Sequence, residues 1–335
     1  MSSLSETIDF VVAEVRAMLA NPEIKKVAII GRKRGQIIPY QIVFASHNIP
    51  FYAAEDLQVF LSTAFGEMKD ILGIKARAGA GPIPGFDPIQ DLVRLCDNVK
   101  RFPLSKTDRA ALLRHLQSER PRTLPAAVTC LRAYTGTLKG TNQDGRMSQA
   151  YADAVQALLE AATVAGSIRA LSDHFDGLQK DYGKSTEDIF YTDPPFLHLS
   201  EFAERYGSDY GAFYEDIEKA ISTLARIPDD DDTEQQQATP DWKLPLHLMT
   251  ALRAKGKEFD VVILLDVNQE IWPSKLAETP DQLEQERRVF YVAMTRARKR
   301  LMMLVNDHLL GRPVLPSPYL AEMGLVPDSD ETVTP

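Results

Sequence analysis

The sequence predicts an α/β protein whose parallel sheet is interrupted by a mostly helical insertion. Helix and strand patterns alternate over about the first 75 residues, and helical patterns then dominate up to about residue 226. Strand patterns return at 244–250 and 260–267. Because α/β patterns flank the helical block on both sides, one sheet divided by an insertion is the simplest arrangement.

Each predicted element has a local signal. Ser3 and Glu6 form a capping box for the first helix, and the Asn21-Pro22 pair ends it. Pro39 stands in the first turns of the second helix. Short apolar runs predict strands at 25–31, 49–54 and 300–305, and helical spacing predicts helices at 35–47, 55–75, 106–119, 147–163, 166–180, 208–226 and 281–297.

Composition marks the boundaries between segments. A Gly/Pro-rich stretch at 78–88 and an acidic stretch at 228–240 separate the helical block from its neighbours. We therefore expect 1–78 to be the first part of the sheet domain, 79–227 an inserted helical domain, 228–241 an acidic linker, 242–325 the second part of the sheet domain, and 326–335 a tail.

The overall composition is that of a soluble globular protein, with 335 residues, of which 44% are hydrophobic and 25% charged. A net charge of −9 argues against a protein coated in nucleic acid but leaves room for a local basic track. Cys96 and Cys130 cannot form a disulfide framework, which fits a reducing cytoplasm. No apolar run reaches the length of a membrane span, and the N-terminus does not resemble a signal peptide, so we expect a cytoplasmic protein.

The tetrapeptide Gly183-Lys184-Ser185-Thr186 resembles the end of a phosphate-binding loop. Such a loop requires G-x-x-x-x-G-K-[ST] between a strand and a helix, so that backbone N–H groups surround the phosphates. Gly177 lies one residue too far upstream, and the preceding pattern is helical. The tetrapeptide is therefore predicted to be a helix end and turn.

The first stretch with candidate site residues is the connection between the strands 244–250 and 260–267. Gly256 permits close approach of a ligand to the backbone. Lys255 and Arg253 can meet phosphates, and Glu258 can accept a hydrogen bond from a sugar hydroxyl. The alternative is a solvated, charged turn between two strands.

The second stretch is the predicted helix 281–297, which carries several arginines. Basic residues in a last turn complement the helix dipole, and this would account for Arg296 and Arg298. It accounts less well for Arg287 and Arg288, which lie nearer the N-terminal end; Glu284 can pair with Arg288 at i,i+4 spacing.

Together the two stretches resemble motifs V and VI of the Rep/UvrD/PcrA helicases of superfamily 1. A weaker similarity covers the segment in which a strand and an arginine precede an Ile-Pro-Phe run, so that the resemblance extends over 24–75 and 243–306. The first motif is matched by Thr250, Lys255, Gly256, Glu258 and Phe259, and the second by Glu286, Arg287, Arg288, Tyr291, Val292, Ala293, Thr295, Arg296 and Ala297.

In that family ATP binds between two RecA-like domains, and single-stranded DNA crosses both. The resemblance implies a RecA-like sheet in which Arg296 is the arginine finger and Glu258 contacts the nucleotide sugar. It places Gly256, Glu258, Arg287 and Arg296 in the ATP site, and Thr250, Arg253 and Lys255 on the DNA track. Two positions depart from the family pattern: Leu252 replaces a histidine, and Lys257 replaces a leucine.

The sequence contains neither a phosphate-binding loop nor the paired acids of the Mg²⁺ motif. We therefore expect the C-terminal portion of a longer 3′–5′ helicase, inactive alone, that shares ATP and Mg²⁺ with a missing first RecA-like domain. Its expected partners are single-stranded and duplex DNA, that domain, and repair or replication proteins bound through the insertion, with no membrane contact. The alternatives are an inactive helicase-derived module that binds DNA or protein, and a helicase–nuclease subunit, for which the tail 307–335 is short.

Overall fold

The computed structural model describes ten parts of the chain and residue 69. The parts are 3–53, 72–73, 106–134, 148–149, 152–153, 156–157, 160–170, 195–224, 243–309 and 311–326. The predicted turn at Gly183, the linker 228–241 and the tail beyond Val326 lie outside them, as does most of the predicted helix 55–75. Within these parts, no helix has the length and apolar composition needed to cross a membrane.

The chain divides into two compact units. One contains 1–59, 197–205 and 215–335, and the other contains 60–196 and 206–214. The bounds expected from composition, with 79–227 as the insertion, remain a prediction. The spatial division differs from them in beginning the second unit at residue 60 and in assigning two later segments to the first unit.

The first unit contains a five-stranded, fully parallel sheet in the order β2-β3-β1-β4-β5. This confirms the predicted α/β class. A two-stranded antiparallel ribbon, β6 and β7, follows it in the chain. The strands are β1 (Val27–Gly31), β2 (Tyr52–Ala53), β3 (Leu246–Thr250), β4 (Phe259–Leu264), β5 (Ala297–Met303), β6 (His308–Leu309) and β7 (Arg312–Pro313).

The central strands are apolar because a parallel sheet is covered on both faces. Every residue of β1 and β3 is buried, and in β4 only Asp260 is partly exposed. β1 lies between β3 and β4, with Val27 opposite both Leu246 and Val261. The two sheet segments predicted on either side of the helical block therefore belong to one sheet.

Helix ends follow local chemistry. At α1, the Ser3 side chain accepts a hydrogen bond from the backbone N–H of Glu6 at 3.2 Å, which is one of the two bonds of the predicted capping box. The described helices are α1 (Leu4–Ala20), α2 (Ile38–Ser46), α3 (Lys106–Glu119), α4 (Leu124–Arg132), α5 (Pro195–Ala203), α6 (Tyr210–Leu224), α7 (Pro280–Met294) and α8 (Pro318–Glu322). The sequence patterns did not predict α4, α5 and α8.

The predicted helix 281–297 is too long. α7 begins at Pro280, after a capping box made by Thr279 and Gln282, and ends at Met294. Ala297 already belongs to β5 and pairs with Phe259. Apolar spacing continues across this boundary, which is why periodicity alone did not reveal it.

A buried polar network closes the carboxyl end of β4. Asp266 accepts hydrogen bonds from the Gln36 side chain and, at 2.7 Å, from Nδ2 of Asn306. The Thr7 hydroxyl on α1 donates to Oδ1 of Asn306 at 2.8 Å. The network therefore links the first helix of the chain, the segment after β1 and the segments after β4 and β5.

Burial raises the pKa of Asp266 to about 6, although its two amide hydrogen bonds act in the opposite direction. Because the folded protein holds this proton more tightly than the unfolded chain does, the group stabilises the fold fully below about pH 4. That contribution is lost as the pH rises through about 6.

We predict that Asp266→Asn removes the pH dependence that Asp266 gives to the free energy of unfolding, because an asparagine side chain does not titrate. The free energy of unfolding of the variant, minus that of the wild type, should increase between pH 4 and pH 7 by up to about 3 kcal/mol. Denaturant unfolding at several pH values measures it, with the exposed Asp281→Asn as control. A difference that does not change with pH would contradict the prediction.

Candidate functional site

The connection between β3 and β4 runs from the carboxyl edge of the sheet, where the parallel strands end, to the amino edge, where they begin. A short 3₁₀ helix, Ala251–Ala254, follows β3 and is anchored by the buried side chains of its first and last residues. Residues 255–258 then lead into β4. Because β3 and β4 are parallel, Thr250 lies at the carboxyl edge of the sheet and Glu258 at the amino edge.

Arg296 lies at this amino edge, between α7 and β5. Its guanidinium donates from Nε to the carbonyl oxygen of Val292 at 2.8 Å and from Nη1 to that of Lys257 at 3.1 Å. Nη2 donates to the Thr295 hydroxyl at 3.0 Å. The Arg296 backbone carbonyl also accepts from the N–H of Phe259 at 2.9 Å. The candidate finger is therefore bonded to the residue next to Glu258.

Glu258 pairs with Arg298, whose Nε donates to the carboxylate at 2.8 Å and whose Nη2 makes a second bond. The sheet register explains this contact, because Phe259 faces Ala297 and so brings the residues before and after them together. The two side chains border an open depression of about 380 Å³, lined by Lys25, Lys26, Gly256, Glu258, Asp260 and Arg298.

Asp260 also lines the depression, where it binds the backbone of the segment that leads into β1. Its carboxylate accepts from the backbone N–H groups of Lys25 at 2.7 Å and Lys26 at 3.2 Å, and Lys299 lies 3.3 Å away. The Lys25 hydrogen bond is the main reason why the pKa of Asp260 lies below its usual range. Sequence reasoning missed these residues and Arg298, because only the pairing of β1, β4 and β5 brings them together.

Gly256 lies on the border of the depression with φ +79, and nothing lies within 4 Å of the position a Cβ would take. The backbone conformation, rather than a lack of space, is therefore what favours glycine there. The reason expected from the sequence, the close approach of a ligand to the backbone, is a different one and stays a prediction.

Arg287 makes its contacts elsewhere. It donates to Glu322 at 2.8 Å and to Glu284 at 3.1 Å, and its guanidinium lies 5.8 Å from the Tyr319 ring centre. The structure does not bring Arg287 together with Glu258 and Arg296. Arg288 pairs with Glu284 at 3.1 Å, as the i,i+4 spacing predicts.

The candidate DNA residues lie around the 3₁₀ helix. Arg253 and Lys255 are exposed, whereas Thr250 is only 8% exposed at the end of β3. Leu252, which stands where the family has a histidine, is 65% exposed. The stretch therefore presents two cations and one large apolar side chain to solvent.

A partly buried ion pair fixes α7 to the sheet. Arg32, directly after β1, donates from Nε to the Glu286 carboxylate at 2.8 Å and from Nη2 to its other oxygen. The backbone N–H of Ser274 donates to the same carboxylate at 3.1 Å. Burial alone would raise the pKa of Glu286, but these hydrogen bonds outweigh it, so that this pKa lies below its usual range.

The five-stranded parallel sheet with its flanking helices defines the class, a RecA-like α/β domain. The family model described as the UvrD-like helicase C-terminal domain matches residues 92–308, more than half of the chain. The chain therefore belongs to this family.

Several helicases are similar to the chain. A probable DNA helicase II homolog of Mycoplasma capricolum is 31% identical over 148 residues, which are 42% of this chain and 19% of the relative. The ATP-dependent DNA helicase PcrA of Leuconostoc citreum is 34% identical over 134 residues, covering 38% and 17%. DNA helicase II of Escherichia coli K12 is 33% identical over 87 residues, covering 24% and 12%. The matched part thus spans less than a fifth of each relative's length.

We predict that Arg32→Met lowers the free energy of unfolding by about 2–4 kcal/mol, because it leaves the Glu286 carboxylate without its charged partner. Glu286→Gln in the same chain should restore part of this loss. The matched control is Arg288→Met, which breaks an exposed pair with Glu284 and should cost less than about 1 kcal/mol. Equal losses in the two single variants, measured by denaturant unfolding, would refute the anchoring role of Arg32.

Proposed function

We propose that this chain is the C-terminal portion of an ATP-dependent DNA helicase that moves 3′ to 5′, and that it supplies the arginine finger and part of the single-stranded DNA track. The observation that carries the proposal is the bond from Arg296 to the Lys257 carbonyl beside Glu258. It links Arg296, the candidate phosphate-contacting residue, to the residue directly before Glu258, the candidate sugar-contacting residue.

The position of these residues supports a site shared between two domains. Open α/β sheets commonly bind their own ligand at the carboxyl edge. Glu258 and Arg296 lie at the amino edge instead. Side chains there can reach a nucleotide whose phosphates are held by another domain, where a guanidinium stabilises charge that develops on the γ-phosphate.

ATP and Mg²⁺ then belong to the assembled protein. Among the described residues, no group of three His, Cys, Asp or Glu side chains could hold a metal ion. In the proposal Mg²⁺ is held by the ATP phosphates and by acids of the first RecA-like domain, and Gly256, Glu258 and Arg296 contact the nucleotide from the other side. Arg287 would reach it only after leaving Glu284 and Glu322.

One observation favours a second candidate, an inactive helicase-derived module that binds DNA or protein. All three side-chain hydrogen bonds of Arg296 go to acceptors of this chain, and one of the acceptors is a carbonyl in the last turn of α7. An arginine there satisfies the helix end whether or not ATP is hydrolysed. Hydrolysis by the assembled protein separates the two candidates.

We predict that the chain alone does not hydrolyse ATP, and that the protein containing it together with a phosphate-loop domain does. Arg296→Ala should lower the DNA-stimulated kcat of that protein roughly 10³-fold, because the developing charge loses its partner. Arg300→Ala, on β5 and paired with Glu14, is the control and should leave the rate unchanged. A rate for Arg296→Ala equal to that of the control would favour the inactive module.

We also predict that the chain binds single-stranded DNA in a salt-dependent manner through the segment 250–255. Arg253→Ala and Lys255→Ala should each weaken binding similarly for all sequences and reduce the slope of log affinity against log salt by about 1. Fluorescence anisotropy measures this, with Arg312→Ala on β7 as control. If the slopes of log affinity against log salt equal that of the wild type, the segment 250–255 does not bind DNA.

The wider partners and location remain proposals. They are the first RecA-like domain, duplex DNA ahead of the single strand, repair or replication proteins bound through the helical insertion, and the cytoplasm as compartment. The similar proteins include the ATP-dependent DNA helicases PcrA and Rep, which supports the DNA and ATP parts of this proposal.

A further inference from the structure

Thr295 has a hydroxyl that both donates and accepts at the end of α7. Its Oγ1 lies 3.0 Å from the carbonyl oxygen of Tyr291 and 3.1 Å from that of Val292, so its hydrogen is directed into the last turn of the helix. A lone pair of the same oxygen accepts from Nη2 of Arg296 at 3.0 Å. The hydroxyl is therefore held by the helix and in turn holds the guanidinium.

The guanidinium of Arg296 is fixed at all three nitrogens. Val292 and Lys257 provide carbonyl acceptors for Nε and Nη1, and Thr295 provides the acceptor for Nη2. A guanidinium has five N–H groups. Within the described ranges no further acceptor bonds it, which leaves one N–H on each terminal nitrogen. The two terminal nitrogens of one planar guanidinium can donate to two oxygens of one phosphate.

We propose that Thr295 is a positioning residue for Arg296: it holds the guanidinium so that one N–H on each terminal nitrogen remains for a phosphate oxyanion. The inference rests on the proposed function for the identity of that oxyanion as the γ-phosphate of ATP. The part of the inference that concerns the orientation of Arg296 does not depend on the proposed function.

The hydrogen bond from Nη1 also connects Arg296 to the segment that carries Glu258. The Lys257 carbonyl precedes Glu258, and Glu258 is held by Arg298. The Thr295 hydroxyl and the Val292 carbonyl hold the guanidinium independently of that connection, because both belong to the end of α7.

The test uses the complete ¹⁵N-labelled chain, in which NMR resolves the arginine side-chain N–H groups and Arg296→Lys assigns one set. The wild type and Thr295→Ser, which keeps the hydroxyl, should show separate terminal N–H resonances because hydrogen bonds slow rotation of the guanidinium. Inorganic tripolyphosphate should shift them. Thr295→Val should average these resonances and weaken tripolyphosphate binding roughly 10-fold. Thr295→Ala repeats the test if the valine variant does not fold.

A second measurement uses the protein that carries a phosphate-loop domain. Thr295→Val should lower kcat for ATP roughly 10-fold with KM within about 2-fold, and Thr295→Ser should restore kcat. Resonances and tripolyphosphate affinity that are the same in Thr295→Val and the wild type would overturn the inference. If Arg296→Ala leaves hydrolysis unchanged, the proposed function fails, while the NMR comparison still decides whether Thr295 positions Arg296.

Discussion

The position of β1 between β3 and β4 is the constraint on which the sheet depends. β1 comes from the beginning of the chain and its two neighbours from the end, and all three run parallel. Without β1, neither β3 nor β4 has its inner partner, and the crossover 251–258 has no strand to pass over. The candidate site at the amino edge therefore exists only when both ends of the chain have come together, whatever the intervening residues do.

The sheet was predictable from sequence because its central strands are buried on both faces. Such strands are short and almost wholly apolar. The runs at 25–31 and 244–250 contain β1 and β3, and the run at 260–267 covers all of β4 except Phe259. The end of α7 was not predictable, since apolar residues at helical spacing, Phe290, Ala293 and Ala297, continue into β5. Helices α4 and α5 have nine residues each, and a pattern of that length is weak evidence for a helix.

For the candidate site, the motif resemblance identified Glu258 and Arg296 but not their surroundings. Arg298 appeared in the sequence only as another basic residue near a helix end, and the register of β4 with β5 is what brings it to Glu258. Arg32 and Glu286 are 254 positions apart, so no local pattern could pair them. Local spacing predicted the Glu284–Arg288 contact, which is exposed and contributes little.

The network around Asp266 has a consequence for synthesis of the chain. Thr7 and Gln36 leave the ribosome before the helical insertion, whereas Asp266 and Asn306 follow more than 200 residues later. At about 5–20 residues per second, β1 waits on the order of 10–40 s for its neighbours. During that interval an apolar strand with two unpaired edges is exposed to other nascent chains. Occupancy by a holding chaperone, or slow codons after the helical insertion, would therefore change the yield of this protein without altering its folded state.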